Sequence, residues 1–282
     1  MFAIIGLVIV FGSVIGGYLL EQGNMHVLFQ PVELLIIGGA AVGAFILQSP
    51  PNVLGIVLKN VMRVLSAKSR NKEEYLDILS LLNGIFSKMR KEGLIAIEND
   101  IENPDESPIF AKFPSILSNP HALHFICDNL KVIISTNISP HELDDVMETE
   151  LEAHHNEALI PSISVTKVAD GLPALGIVAA VLGVVITMGK ISEPPEVLGH
   201  SIGAALVGTF LGVLLSYGFV GPIGTNLAYI AEDDSISLRV IKIALVSFVG
   251  GSAPQIAVEF ARRVIPSASK PTFNELEQAL RS

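Results

Sequence analysis

The stretch FAIIGLVIVFGSVIGGYLL, residues 2–20, carries no charge from end to end. A bilayer core about 30 Å thick needs roughly 20 apolar residues in helical form, because each residue rises only about 1.5 Å. This segment meets that length. Three more apolar stretches follow. Leu34 to Gln48 is the shortest, but the chain stays uncharged to Leu58, so this span can run on toward Pro50 and Pro51; Gly171 to Gly189 and Ser201 to Gly221 complete the set. The two pairs bracket a polar stretch of more than a hundred residues, too large for a connector. The pattern predicts an all-α, four-span integral membrane protein with a large helical cytoplasmic domain.

Composition agrees: half the residues are hydrophobic and only 16% are charged, against about 25% in soluble domains. A cleaved signal peptide has a basic n-region and a short apolar core ending in an A-x-A-like site. Met1-Phe2 opens directly into a full-length span instead, so that segment is expected to be retained. The one cysteine, Cys127, can form no intrachain disulfide and reads as a reduced, buried thiol.

Lys and Arg near the span ends set orientation. Lys59, Arg63, Lys68, Arg70 and Lys72 follow span two, Lys167 precedes span three, and Arg239, Lys242, Arg262, Arg263, Lys270 and Arg281 follow span four, whereas the links 21–33 and 190–200 hold only Lys190. The large loop and both termini are therefore expected in the cytoplasm. A fifth apolar run, Ile243 to Val258, is broken by Gly250-Gly251 and Pro254 and is placed there too. The expected organisation is 1–50, spans one and two; 51–166, a cytoplasmic helical domain; 167–226, spans three and four; and 227–282, a cytoplasmic helical tail.

Within the loop, Tyr75, Ile78, Leu79, Leu82 and Phe86 recur at helical spacing over Asn71 to Arg90, an amphipathic helix. Ile101 to Pro120, with Asn103-Pro104 and further prolines, reads as an ordered turn region, and His121 to Thr136 as helix. Ser139-Pro140-His141-Glu142 has the form of a capping box with proline at the first helical position. It opens an acidic helix through Glu157 that leads toward span three. Its carboxylates read as a solvated face in preference to a docking surface for a basic partner. His154 and His155 are adjacent and point to different faces; His121 and His124 lie one turn apart without an obvious third ligand, so a zinc site is disfavoured. No phosphate-binding loop, nucleophile elbow or H-E-x-x-H motif appears, and a net charge of −10 without basic-aromatic clusters argues against nucleic acid. No enzyme, cofactor or metal is expected.

Small residues let helices approach in a membrane, where apolar burial supplies little drive. Gly39 and Gly43, Ala179 and Gly183, and Ala204, Gly208 and Gly212 repeat at four residues in spans two to four. Ala205, Thr209, Gly212 and Ser216 form a mildly polar stripe on span four. It can line an ion path, or its hydroxyls can bond their own helix. No ionisable residue is expected in mid-membrane: Glu33 and Asp170 sit at span ends. A conducting chain would then need the titrating carboxylate of another polypeptide. Pro173 and Pro222 interrupt helix hydrogen bonding, as hinges or as span terminators.

Ala205-Leu206-x-Gly208-Thr209-Phe210-x-Gly212 followed by Pro222 resembles the signature of the MotA family, the flagellar motor stator subunits. So do Gln30-Pro31-x-Glu33-Leu34, Asp100-Ile101-Glu102-Asn103-Pro104, the run from Asp170 through Pro173 to Ala179-Ala180, and Pro271-x-Phe273-x-Glu275-Leu276-Glu277. The match runs in order over nearly the whole chain. The resemblance implies a pentamer in the bacterial inner membrane around a dimer of a MotB-like single-span subunit, whose transmembrane Asp carries the proton and which is tethered to peptidoglycan. It implies torque on the rotor protein FliG through Arg90 and Glu98, coupling through Pro173 and Pro222, and an ion path past Thr209 and Ala180. Sodium-driven relatives carry Thr or Ser where Ala180 stands, and an alanine has no oxygen for a cation, so the transported ion is expected to be a proton; a sodium-driven stator is the alternative. An ExbB/TolQ-like energiser of outer-membrane transport is the main rival, and a membrane scaffold without ion flux the other. Three spans in the former, against four here, and the Arg90/Glu98 loop argue for the stator.

Overall fold

Helix starts in this chain are set by side chains that bond backbone N–H groups and by prolines that need no donor. In the computed structural model, which describes residues 2–66 and 71–281, Asn24, Asn71 and Asn119 accept hydrogen bonds from the N–H groups of His26, Glu74 and Ala122. Pro31, Pro114, Pro120, Pro195 and Pro254 stand at first helical positions, where a missing N–H costs nothing. Lys68 and Arg70, counted for orientation, lie outside the described residues.

No strand occurs among the described residues. The first compact unit takes in residues 1–67 and 158–229, the second 68–157 and 230–282. In the first lie α1 (Phe2–Leu20), α2 (Met25–Leu28), α3 (Pro31–Gln48) and α4 (Pro51–Ser66). The second holds α5 (Lys72–Glu92), α6 (Glu98–Glu102), α7 (Pro114–Leu117) and α8 (Pro120–Ser135), with short 3-10 turns between α5 and α7 in the proline-rich stretch. α9 (Pro140–Met188) belongs to both units by sequence, α10 (Pro195–Leu214) to the first, and α11 (Gly221–Val249) again to both. α12 (Pro254–Arg262) and α13 (Phe273–Arg281) complete the second.

Among the described residues four helices are long and apolar enough to cross a membrane, as expected. In the first unit the buried core is small: Ile37 and Ala41 of α3 against Leu172 and Ala179 of α9. Most apolar side chains there point outward, Val8, Leu35, Leu47 and Val185 among them. That is the distribution for a unit whose solvent is lipid, where association rests on close packing.

The second unit is built the way a water-soluble domain is. The stripe of α5 (Tyr75, Ile78, Leu79, Leu82 and Phe86) is buried together with Ile126 and Leu130 of α8, Leu143 and Met147 of α9, and Ile241 and Leu245 of α11. Phe86 stacks on Phe248 with ring centroids 4.3 Å apart. α5 ends where Gly93 adopts φ 94°, a conformation that L side chains rarely take. The fifth apolar run is not a span: α11 stops at Val249, α12 starts at Pro254, and Ala257 and Val258 lie in this core.

The reading of Pro173 and Pro222 as span terminators needs correction. The acidic helix leads on past Glu157 into span three, as expected, and the two are one 49-residue helix with Pro161 and Pro173 inside it. Pro173 is thus no terminator, and neither is Pro222, the second residue of α11. Helix continues past both because the lost bonds are local: a proline removes one i→i−4 bond, and the turns on either side retain theirs.

Candidate functional site

Spans three and four meet through backbone. A Cβ on Gly176 of α9 would lie 2.8 Å from the Gly208 carbonyl oxygen and 2.9 Å from the Gly212 Cα of α10. One on Gly212 would lie 2.6 Å from the Leu172 carbonyl oxygen, and one on Gly183 would lie 2.7 Å from the Ala205 Cβ. Only glycine permits this crossing. The expected small-residue packing is therefore present in spans three and four, although the α9 partner is Gly176 as well as Ala179 and Gly183. Gly39 and Gly43 meet nothing within 4 Å inside the chain.

Two members of the α10 stripe, Ala205 and Gly212, meet α9 at this crossing. Ala205 and Ser216 are buried and Thr209 is half-buried. Thr187 donates to its own helix at the Gly183 carbonyl, 2.8 Å away, which is the self-bonded arrangement. Thr209 and Ser216 do not; among the described residues neither hydroxyl has a partner. Ala180 stands opposite Thr209's neighbour, its backbone nitrogen 3.0 Å from where a Gly208 Cβ would be. Of the two expected ion-path residues, Ala180 is thus at the crossing, and Thr209 is the residue after Gly208 on α10.

Packing buries one of the two ionisable groups that stand at span ends. Glu33, in the first turn of α3, is buried. Its Oε2 lies 3.0 Å from the position a Gly208 Cβ would take and has no hydrogen-bond partner. Its place in the sequence at a span end is correct, but α3 packs on α10, and the missing side chain at 208 gives the carboxylate room. A Glu at the third helical position with no Ser or Thr cap to answer was the available signal.

At the other end of the crossing, α10 passes into a π-helical turn, Leu215–Val220, closed by the Gly221 N–H donating to the Ser216 carbonyl. The wider turn gathers an extra residue just before Pro222, a device common at functional sites. A cavity of about 530 Å³ opens there, lined by Thr166 and Asp170 of α9, Ser216 and Tyr217 of the π turn, and Pro222 and Tyr229 of α11. Ser162 of α9 donates to the Gly224 carbonyl at 2.8 Å, holding α11 to α9 beside it. Pro173 lies one turn deeper in α9, half-buried.

Arg90 and Glu98 lie on either side of the Gly93 turn in the second unit, both exposed and without an ion pair among the described residues. Leu94 and Ile95 between them are exposed too. Lys88, which sequence could not separate from Arg90, is spoken for: its Nζ is 2.7 Å from Oδ2 of the buried Asp100, which also accepts from the Ser107 hydroxyl at 2.6 Å.

The acidic face of α9 is only in part solvated. Asp144 and Glu148 hold the buried Lys242 of α11 at 2.9 and 2.5 Å, and Glu150 accepts from Asn129. Burial alone would lower the Lys242 ammonium; hydrogen bonds to Glu148 and Asp144 outweigh it and raise the group above the usual lysine range. The expected capping box forms, with the Ser139 N–H donating to Glu142 at 3.0 Å and the Glu142 N–H to the Ser139 hydroxyl at 3.3 Å. His121 meets His154, centroids 4.8 Å apart, in preference to His124, while His155 Nδ1 is 2.7 Å from the Ser235 hydroxyl. No group of three metal-ligating side chains occurs among the described residues. Cys127 is buried, and burial pushes its thiol up to about 11.

Against known proteins, residues 4–93 match the motility protein A N-terminal family and residues 119–235 the MotA/TolQ/ExbB proton channel family. The chain is 42% identical to motility protein A of Salmonella typhimurium and of Escherichia coli, covering all of this chain and 96% of each relative. It is 34% identical to the chemotaxis protein LafT of Vibrio parahaemolyticus over 98% of its length and 97% of that protein's. Two solved structures share the fold: that of C. jejuni MotAB, with TM-score 0.77, 20% identity, and coverage of 94% of this chain and 95% of that one, and that of the flagellar MotAB stator complex from Bacillus subtilis, with TM-score 0.71, 24% identity, and coverage of 91% and 92%. With spans, loop and tail all aligned to curated relatives, the chain belongs to the motility protein A family.

Proposed function

We propose that this chain is the proton-conducting stator subunit of a bacterial flagellar motor, working in the inner membrane with its loop and termini cytoplasmic. A pentamer surrounds a MotB-like single-span partner anchored to peptidoglycan, and ion flow past the partner's intramembrane Asp turns the ring. The crossing of α9 and α10 carries this reading: Ala180 belongs to one helix, Thr209 and Ser216 with unengaged hydroxyls follow the other, and the coupling prolines, Pro173 of α9 and Pro222 at the start of α11, lie toward the cytoplasmic end. Neutralising a carboxylate in the membrane removes a costly charge, and repacking against spans three and four biases a rotation step. Pro173 and Pro222 sit where helix hydrogen bonding is already interrupted, so bending there breaks few bonds. Arg90 and Glu98, exposed and unpaired, suit a sliding contact with FliG, since exposed ion pairs form and part at roughly 0–1 kcal/mol each. Ala180 offers no side-chain oxygen to a metal cation, which favours protons over sodium.

The test is rotation. Expressed with its single-span partner in stator-less cells that retain a compatible rotor, the chain is expected to drive tethered-cell rotation in sodium-free buffer, and a protonophore should stop it. Rotation only on adding sodium would overturn the ion assignment; an assembled complex that never rotates would overturn the stator reading.

A further inference from the structure

Glu33 is the buried carboxylate of the spanning unit, and the reading above leaves it unused. It is 8% exposed, and Oε2 is closed off from solvent without any donor. Its surroundings are backbone and methyl groups. The point where a Gly208 Cβ would stand is 3.0 Å from Oε2, 3.0 Å from the Ala180 nitrogen and 3.2 Å from the Ala179 Cβ; a Gly183 Cβ would come within 3.6 Å of Oε1. Glycine at both positions leaves a recess in the α9–α10 crossing, and the Glu33 carboxyl fills it.

Ordinary structural roles do not account for this placement. A Glu at the third helical position can reach back to the cap N–H, but Glu33 makes no such bond, and Gln30 before it is occupied with the Val27 carbonyl. No described Lys, Arg or His pairs with it. An ionisable group kept in a membrane unit against its desolvation cost, and aimed at a seam between helices, marks a path for ions.

We propose that Glu33 is a proton-accepting station of the ion path borne by this chain itself, lying between the membrane face that carries α2 and the partner's carboxylate. It rests on the proton-driven reading above. An O–H bond forms at a Glu33 oxygen as hydronium gives up its proton and leaves as water. That bond then breaks as the proton passes, directly or through a water, to the ionised carboxyl of the single-span partner, and Glu33 is ionised again. Each copy in the ring brings its own Glu33 past the partner, so proton supply is tied to rotation. Gly183 and Gly208 are positioning residues that keep the recess open.

The full complex with its partner, reconstituted in vesicles with an internal pH dye, is read for proton uptake under an applied potential. Gln fills the same recess but takes up no proton. Glu33→Gln, assembled in normal yield, is expected to lose uptake by about tenfold or more, and Glu33→Asp to retain clearly more than Glu33→Gln, since a positioned acid or base contributes on the order of 10² or more to proton transfer. Wild type that conducts beside an equally conducting Glu33→Gln overturns the proposal alone; wild type that takes up no protons overturns the proton-driven reading and this proposal with it. Should Glu33→Gln fail to assemble, infrared difference spectra of the working wild-type complex decide. A carboxylic-acid carbonyl band that tracks the applied proton gradient and shifts in Glu33→Asp supports the proposal; its absence overturns it.

Discussion

At Gly212 a methyl group would have to share space with the Leu172 carbonyl oxygen at 2.6 Å and the Gly176 Cα at 2.8 Å, and backbone atoms cannot swing aside as side-chain tips do. Gly212→Ala is therefore expected to destabilise the spanning unit by about 1–3 kcal/mol, the usual cost of forcing atoms into a packed site. Gly39→Ala, where nothing lies within 4 Å, should stay within about 0.5 kcal/mol. Thermal unfolding of the purified full chain separates the two. The paired lysine and the free arginine of α5 should divide in the same assay. Lys88→Ala strands Asp100, whose side chain is 5% exposed, and should cost about 2 kcal/mol, less than a fully buried pair because Lys88 is itself partly hydrated and Ser107 still donates. Arg90→Ala should leave stability within about 0.5 kcal/mol and lower torque.

Among the helices, α9 and the pair α10–α11 are interrupted without being stopped, and the interruptions differ. In α9 Pro173, like Pro161, removes one bond from a continuous helix; before Pro222 the chain has already widened into the π turn, with the Gly221 N–H reaching back five residues. Alanine at 222 restores a donor and favours an unbroken helix, which stiffens the segment. Pro222→Ala, like Pro173→Ala, is expected to assemble with unchanged helix content by circular dichroism and to lose most ion-driven rotation. Full rotation in both variants would remove the prolines from the coupling mechanism.

For the molecule as a whole, two kinds of interior set the response to conditions. The first unit has little buried apolar core and depends on lipid and close backbone contact; the second folds around a large apolar core and carries His154, Glu142 and Glu275. Burial, reinforced by the charge of His121 beside it, holds the His154 ring below the usual histidine range, and its Nδ1 has no partner. A base with a depressed folded pKa is protonated first in the unfolded chain, so its contribution is complete above about pH 6.5 and is lost as pH falls below that value. Glu142 and Glu275 act lower. Backbone hydrogen bonds from Ser139 and Thr272 hold them below the usual carboxylate range, Glu275 at about 2, so their contribution is present above about pH 4.5 and disappears on further acidification. His154→Gln is expected to flatten the loss of thermal stability between about pH 6.5 and 5 while leaving the loss below pH 4.5 unchanged. The span count, the α5 stripe, the Ser139 cap and the rejection of a fifth span were legible in the sequence because hydropathy, periodicity and capping are written within a few residues of where they act. The crossing was half legible: small residues announced close packing in α9 and α10, but repeats at 39 and 43 looked the same and meet nothing. Tertiary structure alone decided that Glu33 turns into the recess at Gly208, that Lys88 and not Arg90 is paired, and that the acidic face of α9 closes on Lys242. Each of these is a charge whose partner, or lack of one, depends on which other segment folds against it, and no local pattern carries that information.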